Sequence, residues 1–184
     1  MPMWFGLTGR NASGKTTVVE WFVSKGFTST SCSDSIRNWL REQQTEITRE
    51  NLIQGGRTLR AEGGPGILAE MLRDEHADES NLVIDSIRTP AEVEALRQRP
   101  DFRLIEIRAS LEGRWNRLQA RGRPGDPDNY EKFVEQEEAE LIAADESGQA
   151  LKATAEMADV VINNDGDLDD LLTALEALIT PGGQ

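Results

Sequence analysis

The chain has 184 residues with 33 acidic against 20 basic side chains, a formal net charge of −13, and 38% hydrophobic residues. That is enough apolar material for one domain spanning 1–184, and the acidic balance speaks against extended contact with a nucleic-acid backbone. No apolar run approaches the roughly 20 residues that cross a bilayer, and a lone cysteine, Cys32, excludes an internal disulfide or a cysteine-rich metal centre.

Met3 to Thr8 reads as a buried parallel strand, which leaves no room for a leader ahead of it, so a cytoplasmic protein without membrane partners is expected. The strand runs into Gly9-Arg10-Asn11-Ala12-Ser13-Gly14-Lys15-Thr16, a match to G-x-x-x-x-G-K-[ST]. A helix follows from about Lys15 to Ser24, with Val18, Val19, Phe22 and Val23 available for burial. Strand, glycine-bearing loop and helix in that order aim backbone N–H groups and a helix N-terminus at one small volume, which suits a chain of phosphates. Gly9, Asn11, Ala12, Ser13, Gly14, Lys15, Thr16 and Thr17 are therefore the candidate phosphate-binding residues. Lys15 is placed to follow the β and γ phosphates, and the Thr16 hydroxyl to hold Mg2+.

Phe27 to Thr30 forms a short second strand, and Ser33 is expected to cap a helix containing Ile36, Trp39 and Leu40. A helical segment from about Arg49 to Leu59 stops at Gly63-Gly64-Pro65-Gly66, and Ile67 to Arg73 resumes. Asn81 to Asp85 is an apolar strand ending in a carboxylate, and Thr89-Pro90-Ala91-Glu92 combines a cap, a first-turn proline and a glutamate three residues on. After a strand from Phe102 to Ile107, a helix from Leu111 to Arg121 puts Leu111, Trp115 and Leu118 on one face. Arg114, Arg117 and Arg121 share another, expected at the rim. A polar turn follows at Arg123 to Asp128. Tyr130, Phe133, Val134 and Leu141 then recur at helical spacing, with Glu137 interrupting, as an arm hinged beside the arginine helix. Asp159 to Asn163 gives the last strand, and Asp167 opens a terminal helix with Leu168, Leu171, Leu172, Leu175 and Leu178. Strands separated by helices predict an α/β fold with a mostly parallel sheet covered on both faces. Its crevice is expected beyond the strands' carboxyl ends, where Gly9, Asp34, Asp85 and the residues after Ile107 converge.

Phosphoryl transfer needs a metal, neutralised phosphate oxygens, an aligned acceptor and little water. Asp85 is the candidate to organise Mg2+ or orient the acceptor, against the alternative of a solvated carboxylate at the sheet edge. Arg88 is the candidate for an acceptor phosphate, against a surface ion pair. Arg121 and Arg123, nearest the hinge, are the candidates to stabilise the transferring group, with Arg117 next. Asp34, Arg37 and Arg60 line the natural acceptor wall or pair with their neighbours. His76, in an acidic stretch, and Cys32 lack the companions that metal or thiol chemistry requires.

The ordered set of segments resembles the P-loop nucleoside/nucleotide kinase superfamily. More closely, it looks like the small archaeal adenylate-kinase-like and dephospho-CoA-kinase-like proteins. The segments are Gly9 to Thr16, Ser33-Asp34-Ser35-Ile36-Arg37, Thr48-Arg49-Glu50-Asn51-Leu52, Leu59 to Pro65, Ile84-Asp85-Ser86-Ile87-Arg88, Arg117 with Arg121-Gly122-Arg123, and Ala158 to Asn164. The resemblance implies a three-layer P-loop NTPase fold around a five-stranded parallel sheet, with an acceptor-binding helical region at 34–66 and a small helical lid at 121–138. It also implies ATP with Mg2+ as donor, Asp34, Arg37, Arg60 and Arg88 on the acceptor, and Arg121 and Arg123 as lid cations. Arg117 and Asn163 would lie with the bound nucleotide, the loop after Asn163 by the adenine. The expected acceptor is a nucleoside or deoxynucleoside monophosphate, with dephospho-CoA as alternative, and the oligomeric state is monomer or homodimer. Ala12 departs from the glycine common in this class. A GTP switch is disfavoured because Asp85-Ser86-Ile87-Arg88 lacks the D-x-x-G form. A non-catalytic ATP-dependent sensor is the remaining alternative.

Overall fold

The computed structural model describes residues 3–122, 126–142 and 151–180, with the side chains of 140–142 left out. Strands β1 (Met3–Thr8), β2 (Thr28–Ser31), β3 (Asn81–Asp85), β4 (Phe102–Arg108) and β5 (Val160–Asn163) form one five-stranded sheet in the order β2-β3-β1-β4-β5. Every neighbouring pair is parallel. β1 is central and covered on both sides, which is why its sequence is a continuous apolar run rather than an alternation.

The pleat sorts that run into two cores. Trp4, Leu82, Ile84 and Leu104 face one layer, built from α2 (Cys32–Glu42), α3 (Arg49–Gly63), α4 (Ile67–Glu75) and α5 (Pro90–Leu96). Phe5, Leu7, Val83 and Ile105 face the other, where α1 (Lys15–Ser24) contributes Val18 and Phe22, and α9 (Leu168–Ile179) contributes Leu171 and Leu175. The result is the three-layer α/β arrangement of a P-loop kinase-like fold. The remaining helices, α6 (Leu111–Arg121), α7 (Tyr130–Ile142) and α8 (Leu151–Glu156), follow β4. Among the described residues, no helix is long and apolar enough to cross a membrane.

Several local expectations change. The cap of α2 is Ser31, not Ser33: its N–H and hydroxyl both donate to Asp34 Oδ2, at 2.8 and 3.0 Å, so the helix starts two residues earlier. α3 continues to Gly63, up to the glycine break, and α4 to Glu75. Val23 and Leu168, expected inward, are 47% and 56% exposed. α5 is capped as expected, the Thr89 hydroxyl and the Glu92 carboxylate each satisfying the other's backbone N–H.

Candidate active site

β1 delivers the chain into a loop held by unusual backbone angles: φ is 143° at Gly9, 61° at Ala12 and 107° at Gly14. Glycine takes such angles freely, whereas Ala12 holds its angle under strain. Gly14 is also needed for space, since a Cβ there would lie 2.3 Å from Asn164 Nδ2. α1 begins at Lys15 with no side-chain cap, and the N–H groups of Ala12 and Gly14 meet no acceptor among the described residues. A helix N-terminus with unsatisfied donors is an anion site. Lys15 Nζ donates to the Gly9 and Arg10 carbonyls, at 2.7 and 2.9 Å, within the loop it would leave for a phosphate.

The loop is fixed from behind by α6. Arg114 donates to Asn11 O at 3.4 Å, and one nitrogen of Arg117 donates to Ala12 O and Ser13 O at 3.2 and 3.3 Å. The second nitrogen of Arg117 donates to Asn164 O, while Asn164 Nδ2 returns a 2.8 Å bond to Ser13 O. In a trans peptide the C=O and N–H point in opposite directions. Pinning the Asn11 and Ser13 carbonyls therefore turns the N–H groups of Ala12 and Gly14 away from these partners. α6 is itself anchored: Asp165 accepts a 2.8 Å bond from the Ser110 N–H, which holds its carboxyl below the usual carboxylate range.

Facing the loop, the turn after β3 is locked to β1. Ile87 N–H donates to Leu7 O at 2.9 Å and its side chain is fully buried against Gly6, where a Cβ would come within 2.3 Å of Ile87 Cδ1. Loop, turn, Arg117, Arg121 and Leu151 enclose a cleft of about 510 Å³. Among the described residues, Asp85 reaches its wall with a buried Oδ1 that has no hydrogen-bond partner, and Thr8 Oγ1 is likewise unpartnered. Thr16 is exposed to the same cleft, so these oxygens fit a divalent cation's preference. Arg88 lines the cleft with its guanidinium exposed and unpaired among the described residues.

Residues 6–143 match the AAA domain family model. A UPF0200 protein of Methanoregula boonei is 33% identical over 177 residues, covering 95% of this chain and 94% of its own length. The chain belongs to the UPF0200 family. Among solved structures, TT1252 from Thermus thermophilus aligns at TM-score 0.61 with 22% identity, covering 97% of this chain and 98% of its own. Shikimate kinase from Acinetobacter baumannii, in complex with shikimate, aligns at TM-score 0.58 with 21% identity, covering 97% and 93%. At these identities the two structures carry the fold alone, a P-loop kinase-like one.

In this UPF0200 chain the cleft gathers Gly9, Asn11, Ala12, Gly14, Lys15, Thr16, Asp85, Arg88, Arg117 and Arg121, all anticipated from sequence. Ser13 is buried behind the loop, and Thr17 is exposed off the cleft wall. Asn163 is exposed at the end of β5, and its neighbour Asn164 is the residue that packs on the loop, because the pleat turns alternate residues to opposite sides. Asp34 and Arg37 pair with each other at 2.9 Å, and Arg60 approaches Glu92 at 4.0 Å; none of the three lines the cleft. Nor do the residues after Ile107 as far as Ser110, so the convergence expected there is narrower. Arg123 lies outside the described residues.

Two features were not expected. Arg114 is 2% exposed rather than at the rim, because Glu137 of α7 meets it at 2.5 Å and also accepts from Arg10 at 2.8 Å. The interrupted apolar stripe of α7 was the available signal: a carboxylate among core-facing residues needs a cation. Leu151 of α8, a helix too short to show periodicity, closes one side of the cleft. Arg121 is gripped by both oxygens of Asp126, at 2.9 and 2.7 Å, and this carboxylate pushes its pKa up.

Proposed function

We propose that the chain is an ATP-dependent phosphotransferase that moves the γ-phosphoryl group of ATP onto a nucleoside or deoxynucleoside monophosphate. The observation that carries this reading is the pairing, across one cleft, of a phosphate loop with unsatisfied N–H donors and a guanidinium, Arg88, both without partners among the described residues. A donor site alone would not require that second cation. An acceptor phosphate oxygen held by Arg88 attacks the γ-phosphorus; the bond to the β–γ bridging oxygen breaks, and ADP leaves with its electron pair. An ionised phosphate brings no proton to remove, so placement and charge are what the protein must supply.

Lys15 exchanges its two loop carbonyls for the β and γ oxygens, and Thr16 and Asp85 are the residues that would hold Mg2+. That ion, when bound, neutralises charge between the β and γ phosphates. Arg121, released from Asp126, and Arg123 approach the transferring group as the lid closes. Arg117 positions the loop for the bound nucleotide, with Asn163 near its base. Asp34, Arg37 and Arg60 remain the candidates of the acceptor wall at 34–66, on the helices beside the cleft rather than in its lining.

A second reading keeps the chemistry and changes the acceptor, since one solved neighbour is a shikimate kinase with shikimate bound. A hydroxyl acceptor, in a small hydroxy acid or dephospho-CoA, must lose a proton, and Asp85 is the carboxylate in the cleft that could take it. Incubating the protein with MgATP and panels of nucleoside monophosphates, deoxynucleotides, dephospho-CoA and hydroxy acids, read by product mass, tests both. A phosphorylated nucleotide supports the first reading, a phosphorylated alcohol the second. ATP bound with no acceptor modified contradicts both and leaves the sensor.

A further inference from the structure

Ser86 occupies the left-handed region, at φ 58°, without being glycine. Short polar residues tolerate that region when the side chain bonds to the local backbone, yet the Ser86 hydroxyl makes no such bond among the described residues. Nor can the turn relax around it. Ile87 is tied to β1 through Leu7 O and Gly6, and on the other side the Arg88 and Thr89 N–H groups donate to Glu92 Oε2 at 3.0 and 3.2 Å. The strained residue is thus held between two fixed points, half-buried, on the wall of the cleft next to Asp85 and two residues from the unpaired Arg88. Strain that persists where the surroundings over-determine it is a mark of a working position. Glycine would fill this position with less strain, and the hydroxyl is what glycine lacks.

We propose that Ser86 is a specificity-determining residue of the acceptor site, its hydroxyl donating to an anionic oxygen of the acceptor whose charge Arg88 neutralises. The inference rests on the phosphotransferase reading above. Because the turn is rigid, the hydroxyl and guanidinium form a fixed pair, matched to an oxyanion at one distance from the phosphate loop. The Glu92 carboxylate acts behind them as a positioning group.

Two substitutions separate this role from a structural one. Ser86→Ala keeps the strain and removes the hydroxyl; Ser86→Gly removes both. With MgATP as donor and AMP, CMP, GMP and UMP as probes, both variants are expected to raise the KM for the accepted nucleotide by about ten-fold, the loss of one hydrogen bond to a charged group. The KM for MgATP is expected to change less than about two-fold over the same series. Melting temperatures should diverge, Ser86→Gly rising by about 2 °C as the strain is relieved while Ser86→Ala stays near the parent. Acceptor KM values equal to the parent's in a parent that does transfer phosphate would overturn the inference and leave the kinase reading standing. So would a loss in Ser86→Gly alone, which would assign the effect to the backbone strain that Ser86→Ala keeps. A parent that transfers phosphate neither to these four nor to their deoxy counterparts overturns both the inference and the nucleotide-kinase reading.

Discussion

Arg10 and Glu137 stand 127 positions apart in the chain and meet at 2.8 Å, the guanidinium from the phosphate loop and the carboxylate from α7. Arg114 of α6 shares the same carboxylate, with side chains 2% and 5% exposed for Arg114 and Glu137. One carboxylate so buried, between two guanidiniums, ties α7, the loop and α6 together. Glu137→Ala strands two cations, one of them fully desolvated, and is expected to cost about 3 kcal/mol in chemical denaturation. Arg10→Ala, at a side chain 31% exposed, should cost less than half of that. Equal, negligible shifts in both variants would show that the cluster contributes nothing to stability.

The loop predicts opposite outcomes for two small changes. Ala12→Gly relieves the strain of a left-handed alanine and should leave stability level or raise it by about 1 kcal/mol. Gly14→Ala adds both a strained φ and a Cβ at 2.3 Å from Asn164 Nδ2, and is expected to lower stability and to displace Asn164 from Ser13 O. Thermal melts of the two variants check this, and a stable Gly14→Ala protein would refute the packing described.

Arg117 works through its fork, one arm on the Ala12 and Ser13 carbonyls and the other on Asn164 O. Lysine keeps the charge and loses the fork. Arg117→Lys should therefore weaken ATP binding nearly as much as Arg117→Ala, by about ten-fold, if the arginine positions the loop. Full rescue by lysine in calorimetric titration would mean that charge alone is used.

Cys32 is buried, and that burial, with Glu92 next in importance, pushes its thiol well above the usual range. In the native protein it should react with maleimide far more slowly than in the unfolded chain. The folded form resists ionisation, so this group's contribution to stability is complete below the unfolded thiol pKa of about 8.5 and is lost as pH rises above that value. Fast labelling of native protein at neutral pH would contradict the burial.

Much of the fold was legible because its signals are local. β1 and β3 are apolar runs too short for helices, and Thr89-Pro90-Ala91-Glu92 carries its own start signal. The loop half of the candidate site was legible for the same reason, since Gly9 to Thr16 is contiguous and flanked by the strand and helix it needs. What escaped was set by distant partners. Arg114 looked like a rim cation until Glu137 arrived from α7, and the sequence left Arg60 open between an acceptor contact and an ion pair, with Glu92 found 4.0 Å away. Asn164 was passed over for Asn163 because a strand of four residues gives too little pattern to fix which side faces the loop. Ser86 drew no notice because backbone strain leaves no trace in composition.

The most direct test is a crystal structure with Mg2+, a non-hydrolysable ATP analogue and the accepted nucleotide. The account predicts the triphosphate along the loop, with the Ala12 and Gly14 N–H groups and Lys15 Nζ on its oxygens, and the γ end turned towards an acceptor phosphate held by Arg88. A triphosphate bound elsewhere, with the loop carbonyls still holding Lys15 and Arg88 still unengaged, would contradict it.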